Sequence, residues 1–248
     1  MSASQRAIVV GAGIGGLAAA ITLRRAGWEV RVLERAESPR ELGFALALAP
    51  NALKALREIG LADAVAREGA GVHTFEVLRA DGSAMKRVRF RARGTDMRAV
   101  VTLRPALHGA LLAAVPAEAL LLGHDVQDVA TIGGEASVTL ADGRTLTADV
   151  VVAADGVGSA IRRKLHPAEP PPQPSGYHAL RGVTYDAAQQ MGRVNVAVLL
   201  GDGIEAGFAQ ASATAVYWYL SLVDEHVRPG DAAAEVLARC TRRLNSRI

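Results

Sequence analysis

Apolar residues in this chain fall into short runs punctuated by glycine, and the runs differ in pattern. Ala7-Ile8-Val9-Val10 and residues 149–154 are nearly unbroken apolar stretches without alternation. That pattern suits strands buried on both faces, as in a parallel sheet. Elsewhere the runs flank turn signals and predict hairpins, over 72–93 around Ala80-Asp81-Gly82-Ser83 and over 136–148 around Ala141-Asp142-Gly143-Arg144. Helical segments are predicted over 17–26, 52–59 and 106–114, where Leu107 and Leu111 lie one turn apart. Gly27 and Gly60 supply stop signals, and Pro50-Asn51 opens the second helix. A short strand is predicted about 120–122, and a further helix carries Ile161, Arg162 and Leu165. Residues 167–174 hold five prolines and read as a crossing between regions. Beyond them, strand-like runs cover 177–185, 194–200, 204–210 and 215–223. Two sheets are expected, interleaved along the chain: one parallel, the other antiparallel and built from residues near 72–93 and 176–223.

The turn after the first strand carries the most specific chemistry. Gly11-Ala12-Gly13-Ile14-Gly15-Gly16 sits where a buried strand must turn sharply into a helix, and Glu34 ends the next strand, eighteen positions past Gly16. Gly11 permits the tight turn, Gly13 lets backbone amides approach a pyrophosphate, and Gly16 lets the helix pack closely on the sheet. The Glu34 carboxylate could accept hydrogen bonds from both hydroxyls of an adenosine ribose. Strand, loop, helix, strand and acid together predict adenine dinucleotide binding. The alternative is a glycine-rich turn in an ordinary α/β domain.

Composition bounds what else the chain can be. With 248 residues, half of them hydrophobic, it has room for one large domain or two modest ones. Only 4% are aromatic, so the core is expected to be mostly Ala, Val and Leu. No run approaches the roughly 20 apolar residues of a membrane span. The first strand starts so early that no room is expected for a signal peptide. A single cysteine, Cys240, excludes an internal disulfide and fits a reducing cytoplasm, the expected location. The histidines at 73, 108, 124, 166, 178 and 226 fall singly, without metal-ligand spacing, and no metal is expected. Net charge is +3, and Lys54, Lys86 and Lys164 are the only lysines. The dense basic cluster at 86–93 puts Arg87, Arg89, Arg91 and Arg93 on one strand face and Val88, Phe90 and Ala92 on the other. It lacks interleaved exposed aromatics for base stacking and reads as a solvated face, so no nucleic-acid partner is expected.

Three separated motifs, in order, resemble the class A flavoprotein monooxygenases, the aromatic-ring hydroxylases related to salicylate and 4-hydroxybenzoate hydroxylase. The first is the 11–16 loop with Glu34-Arg35. The second, Leu103-Arg104-Pro105-Ala106-Leu107, is similar to the family's arginine-x-x-leucine segment. The third, Ala154-Asp155-Gly156-Val157-Gly158-Ser159 with Arg162, is similar to its Asp-Gly motif. Residues 43–60, with Pro50-Asn51-Ala52 inside, also look like the segment that lines the flavin.

This resemblance implies an α/β fold in which a Rossmann-like FAD-binding domain with a parallel sheet (1–71 and 94–170) is interleaved with an antiparallel-sheet substrate domain (72–93 and 171–248). It implies FAD as cofactor, NADH or NADPH as co-substrate, and dioxygen passed through a flavin hydroperoxide to a small aromatic substrate. Residue by residue, it implies that Gly11, Ala12, Gly13, Ile14, Gly15 and Gly16 hold the pyrophosphate and Glu34 the ribose. Arg35 would lie beside the adenine, or else be an exposed strand-end cation. Arg104 would reach the pyrophosphate or ribityl region, or else be a surface arginine at a helix start. Val126 matches a position where backbone groups meet the adenine, a plain strand valine being the other reading. Asp155 would serve near the flavin and nicotinamide cofactor, or simply cap a helix. No protein acid or base is assigned. Tyr177, Tyr217 and Trp218 either face a substrate pocket or are ordinary core aromatics.

The chain also departs from the pattern. Ala45, preceded by Phe44, stands where the family often has glycine. The family's second acidic motif, Gly-Asp followed by Ala-Ala-His and a proline-glycine segment, is imitated only at its beginning by 229–234. Asp231 is therefore expected to be the N-cap of a helix running to about 244. The resemblance covers roughly the first two-thirds of a typical member, so the substrate domain is expected to be incomplete. Two other functions stay open: an NAD-dependent dehydrogenase, though no Tyr-xxx-Lys pair is visible, and a non-catalytic remnant binding only the adenosine half of FAD. Oligomeric state is open as well, a homodimer included.

Overall fold

The computed structural model describes residues 4–38, 43–90, 99–192, 194–228 and 230–241. In chain order it begins with β1 (Arg6–Val10), α1 (Ile14–Arg25), β2 (Glu29–Glu34), β3 (Ala45–Leu48), α2 (Pro50–Glu58) and α3 (Ala62–Glu68). There follow β4 (Ala70–Gly71), β5 (Thr74–Arg79), β6 (Ala84–Arg89), β7 (Val100–Leu103), α4 (Arg104–Ala113), β8 (Leu120–Leu122) and β9 (Val126–Ile132). The remainder is β10 (Glu135–Leu140), β11 (Thr145–Ala148), β12 (Val150–Ala153), α5 (Ala160–Leu165), β13 (Tyr177–Thr184), β14 (Val196–Leu200), β15 (Ile204–Gln210), β16 (Val216–Val223) and α6 (Ala233–Thr241). Two compact units result, one of Met1–Leu42, Glu58–Leu61 and Pro105–Pro171, the other of Gly43–Arg57, Ala62–Arg104 and Pro172–Ile248.

The first unit is built on four parallel strands in the order β12-β1-β2-β8. β1 has neighbours on both sides, Ile8 standing opposite Arg31 of β2 and Val151 of β12. That is why its apolar run is continuous: Ala7 to Val10 are all buried. α1 lies against the sheet through Leu17, Ala20 and Ile21, all buried. The meander β9-β10-β11 and the short α5 add a second apolar layer. Ile8, Val10 and Leu33 share one cluster there with Val126, Val138, Leu140 and Ile161. Each such side chain contributes about 1.5–3 kcal/mol when fully buried. β12 differs from the expectation that its apolar run raises. It is an edge strand and only partly buried, because among the described residues nothing pairs with it beyond β1.

The second unit holds a six-stranded sheet in the order β13-β16-β15-β14-β5-β6. Its pairs are antiparallel, as expected, except that β14 runs parallel to β5 with Val196 opposite Phe75. Asn195, 4% exposed, secures that junction. Its Oδ1 accepts the His73 and Thr74 N–H groups at 3.2 and 3.0 Å, and its Nδ2 donates to the Gly71 carbonyl at 2.6 Å. α6 closes one face, packing Val236 and Cys240 onto Ile204, Leu220 and Leu222.

Asp231 does not cap this helix. The Ala232 carbonyl receives its first amides, from Glu235 and Val236, while the Asp231 carboxylate accepts from Arg239 and from the Arg228 N–H. The predicted helix end near 244 lies outside the described residues. On β6, Arg87 pairs with the buried Glu76, and Lys86 and Arg89 are exposed. Arg91, Ala92 and Arg93 lie outside the described residues.

A small sheet, β3-β7-β4, completes this unit, with Val101 packed against Ala209 and Ala211. The grouping of 43–57, 62–71 and 99–104 with the second unit differs from the boundaries drawn from the sequence. The cause is β7, onto which both β3 and β4 pair antiparallel.

Candidate cofactor site

The parallel strands β1, β2 and β12 end on the same side of the first unit, and a cleft of about 350 Å³ lies off their carboxyl ends. Open α/β sheets bind ligands at this edge. Gly11 and Gly13 line it from the β1 turn, Glu34 and Arg35 from the end of β2, and Asp155, Gly156 and Gly158 from the turn after β12. Val126 lines it from the start of β9.

Packing explains two of the glycines and leaves two for something else. Gly11 has φ +102°, and a Cβ there would stand 2.4 Å from the Ala154 carbonyl oxygen. A Cβ on Gly16 would come within 1.9 Å of the Gly11 carbonyl oxygen. Strand, turn and helix are therefore as close as backbones allow. Around Gly13 and Gly15, by contrast, no atom of the described residues outside the adjoining backbone lies within 4 Å of where a Cβ would be, and the same is true at Gly156 and Gly158. α1 starts at Gly13 with no side-chain cap and no acid in its first turn. Among the described residues no side chain caps its amino end, whose partial positive charge faces the cleft beside the Glu34 carboxylate.

Glu34 is half-buried and fastens the loop as well as walling the cleft. Its Oε2 accepts the Ala12 N–H at 2.8 Å and its Oε1 the Ala36 N–H at 2.9 Å. On the other side of Ala12, the carbonyl meets the ring of His108 from α4, with Nε2 at 2.7 Å. Ile14, Gly15 and Gly16 form the first turn of α1. Arg35 is an exposed cation at the cleft wall, and Val126 is buried with its neighbours in the core.

Asp155 lines the cleft and also accepts the Ile161 N–H at 3.3 Å. The N-cap of α5 is Ser159, whose hydroxyl accepts the Arg162 N–H at 2.9 Å, so Asp155 is not the cap. Arg104 belongs to the second unit. It is exposed at the start of α4, and a Cβ on Gly43 would fall 2.5 Å from its Cδ.

Four polar residues at this cleft, His124, Asp125, Gln127 and Arg163, were not among the site residues expected from the sequence. His124 follows β8 and donates its N–H to the Glu34 carbonyl at 2.9 Å. Gln127 lies on β9, and Arg163 of α5 donates to the Gly158 carbonyl at 2.7 Å. For His124, the signal available was position: it comes two residues after the carboxyl end of a strand paired with β2.

A profile of the FAD binding domain family matches residues 4–246. The chain belongs to this family. Among its relatives, Aurachin C monooxygenase/isomerase from Stigmatella aurantiaca is 31% identical over 236 residues, 94% of this chain and 61% of that protein. The 6-hydroxynicotinate 3-monooxygenase of Pseudomonas fluorescens is 34% identical over 187 residues, 74% of this chain and 48% of that protein. In structure, the chain is similar to P. aeruginosa PqsL, solved in complex with 2-aminobenzoylacetate. The TM-score is 0.83 at 26% identity, over 97% of this chain and 67% of that one. This chain thus spans about half to three-fifths of the length of these two curated relatives.

The cleft passes the test that an FAD binding domain must meet. An uncapped helix end can take the negative charge of a pyrophosphate, the space at Gly13 and Gly15 admits it, and Glu34 offers acceptor oxygens one strand away. Among the described residues, no helix is long and apolar enough to cross a membrane.

Proposed function

We propose that this chain seats FAD by its adenosine diphosphate half in the first-unit cleft and serves an NAD(P)H-dependent monooxygenase that hydroxylates a small aromatic substrate with dioxygen. One observation carries the reading: the open, uncapped amino end of α1 beside the Glu34 carboxylate, at the carboxyl edge of a parallel sheet. Family membership supports it, as do relatives whose names are those of monooxygenases.

Bound FAD supplies the redox and oxygen chemistry, which belongs to the cofactor. The tasks left to this chain are binding and orientation. The first amides of α1 would hold the pyrophosphate. The Glu34 oxygens accept the ribose hydroxyls while keeping their hold on the Ala12 and Ala36 amides, since each carboxylate oxygen has two lone pairs. Arg35 and the Val126 backbone would hold the adenine, and Asp155 would serve the flavin side of the cofactor; all three line the cleft. The single cysteine, buried on α6, supports a cytoplasmic place for the protein.

Calorimetric titration with FAD and with ADP, beside the visible spectrum of the purified protein and its NADH and NADPH oxidation, tests the proposal. Both ligands are expected to bind, FAD more tightly. Equal affinities would favour a site for the adenosine half alone. Absence of heat with either ligand at millimolar concentration would remove the reading. A dehydrogenase is not favoured, because the relatives named above are monooxygenases.

A further inference from the structure

His108 lies on α4 with its ring nearly enclosed, and it touches a residue 96 positions away in the chain. Its Nε2 is 2.7 Å from the Ala12 carbonyl oxygen. A carbonyl oxygen has no proton to give, so Nε2 must carry one and donate. Ala12 is held from its other end too, its N–H donating to Glu34 at 2.8 Å. Two side chains, from β2 and α4, thus take both polar groups of one residue inside the glycine loop.

The Ala12 carbonyl shares a planar peptide unit with the Gly13 N–H, and no peptide among the described residues is cis. In a trans peptide these two groups point in opposite directions. A donor fixed on the carbonyl therefore fixes where the Gly13 N–H points, which is away from His108. Gly13 lines the cleft and begins the uncapped helix. Without the histidine, the buried carbonyl loses its donor and the peptide loses the restraint on its rotation.

We infer that His108 is a positioning residue of the cofactor loop, its Nε2–H orienting the Ala12–Gly13 peptide so that the Gly13 amide is presented to a diphosphate. The inference rests on the proposal that the cleft takes the diphosphate of FAD. A histidine buried only for packing would leave nucleotide affinity unchanged when replaced by a residue that folds as well.

ADP and FAD titrations of wild type, His108→Leu and His108→Gln, each checked by circular dichroism and thermal unfolding, separate these cases. His108→Leu is expected to weaken ADP binding about tenfold or more, while His108→Gln, which retains a side-chain N–H donor, stays within about threefold of wild type. A folded His108→Leu that binds ADP within about twofold of wild type overturns the inference and leaves the cofactor reading standing. Wild type that binds neither nucleotide overturns the reading beneath it. Should His108→Leu fail to fold, nitrogen-15 spectra of wild-type histidines decide. A His108 ring protonated at Nε2, with its signal moved by ADP, supports the role, and a ring protonated at Nδ1 alone overturns it.

Discussion

Gly11 and Gly13 are two positions apart and answer to different partners. At Gly11 the protein itself leaves no room: positive φ and a carbonyl oxygen 2.4 Å from the would-be Cβ. Gly11→Ala is therefore expected to lower stability by about 2 kcal/mol or more, read by chemical denaturation. Gly13 has φ −73° and, among the described residues, nothing beyond the adjoining backbone within 4 Å of that point. Gly13→Ala is expected to change stability by less than about 1 kcal/mol, since the cap position loses little. Its effect falls on ligand: FAD and ADP affinity should drop about tenfold or more by calorimetry. If Gly13→Ala binds as wild type does, the diphosphate does not lie over the start of α1. The sequence pattern already assigns the tight turn to Gly11 and the approach of amides to Gly13; the tertiary structure adds the carbonyl oxygen that crowds Gly11 and the open space at Gly13.

At the scale of elements, α6 and the β14–β5 junction are each supported by a polar side chain, Asp231 and Asn195. The Arg239 guanidinium and the Arg228 amide hold the Asp231 carboxyl below its ordinary value of 3.8. A depressed carboxyl binds its proton less readily when folded. The stabilisation it lends is thus present above about pH 4, the unfolded value, and is lost as pH falls through the folded value. Wild type should lose more stability between neutral and acidic pH than Asp231→Asn does, in urea melts along a pH series. Equal losses would mean that the ion pair contributes nothing. At the junction, Asn195→Ala would leave two amides and a carbonyl without their partner at a buried site. The expected cost is about 2–3 kcal/mol. Hairpins β5–β6 and β10–β11 were legible, because Asp-Gly turns mark them locally. The junction was not, because Asn195 and Thr74 are 121 positions apart.

For the molecule as a whole, a ligand that binds only the folded state adds stability by mass action. FAD or ADP at about one hundred times its dissociation constant should add about 2.7 kcal/mol. Hydrogen exchange should register this as greater protection over 11–16 and along β1, α1 and β2. Protection unchanged there would place the ligand elsewhere. The sequence by itself determined the β1–loop–α1–β2 unit with Glu34 at its end, the two hairpins and most strands of the second sheet. In these, contiguous residues decide conformation through periodicity, turn chemistry and glycine backbone freedom. Only the tertiary structure decided that 43–57 pairs into the second unit, that β12 is an edge, that β14 runs parallel to β5, and that His108 reaches Ala12. Each of those depends on which distant surface buries most apolar area or supplies a missing hydrogen-bond partner. Such choices are made across long stretches of chain, where local pattern carries no record of the partner.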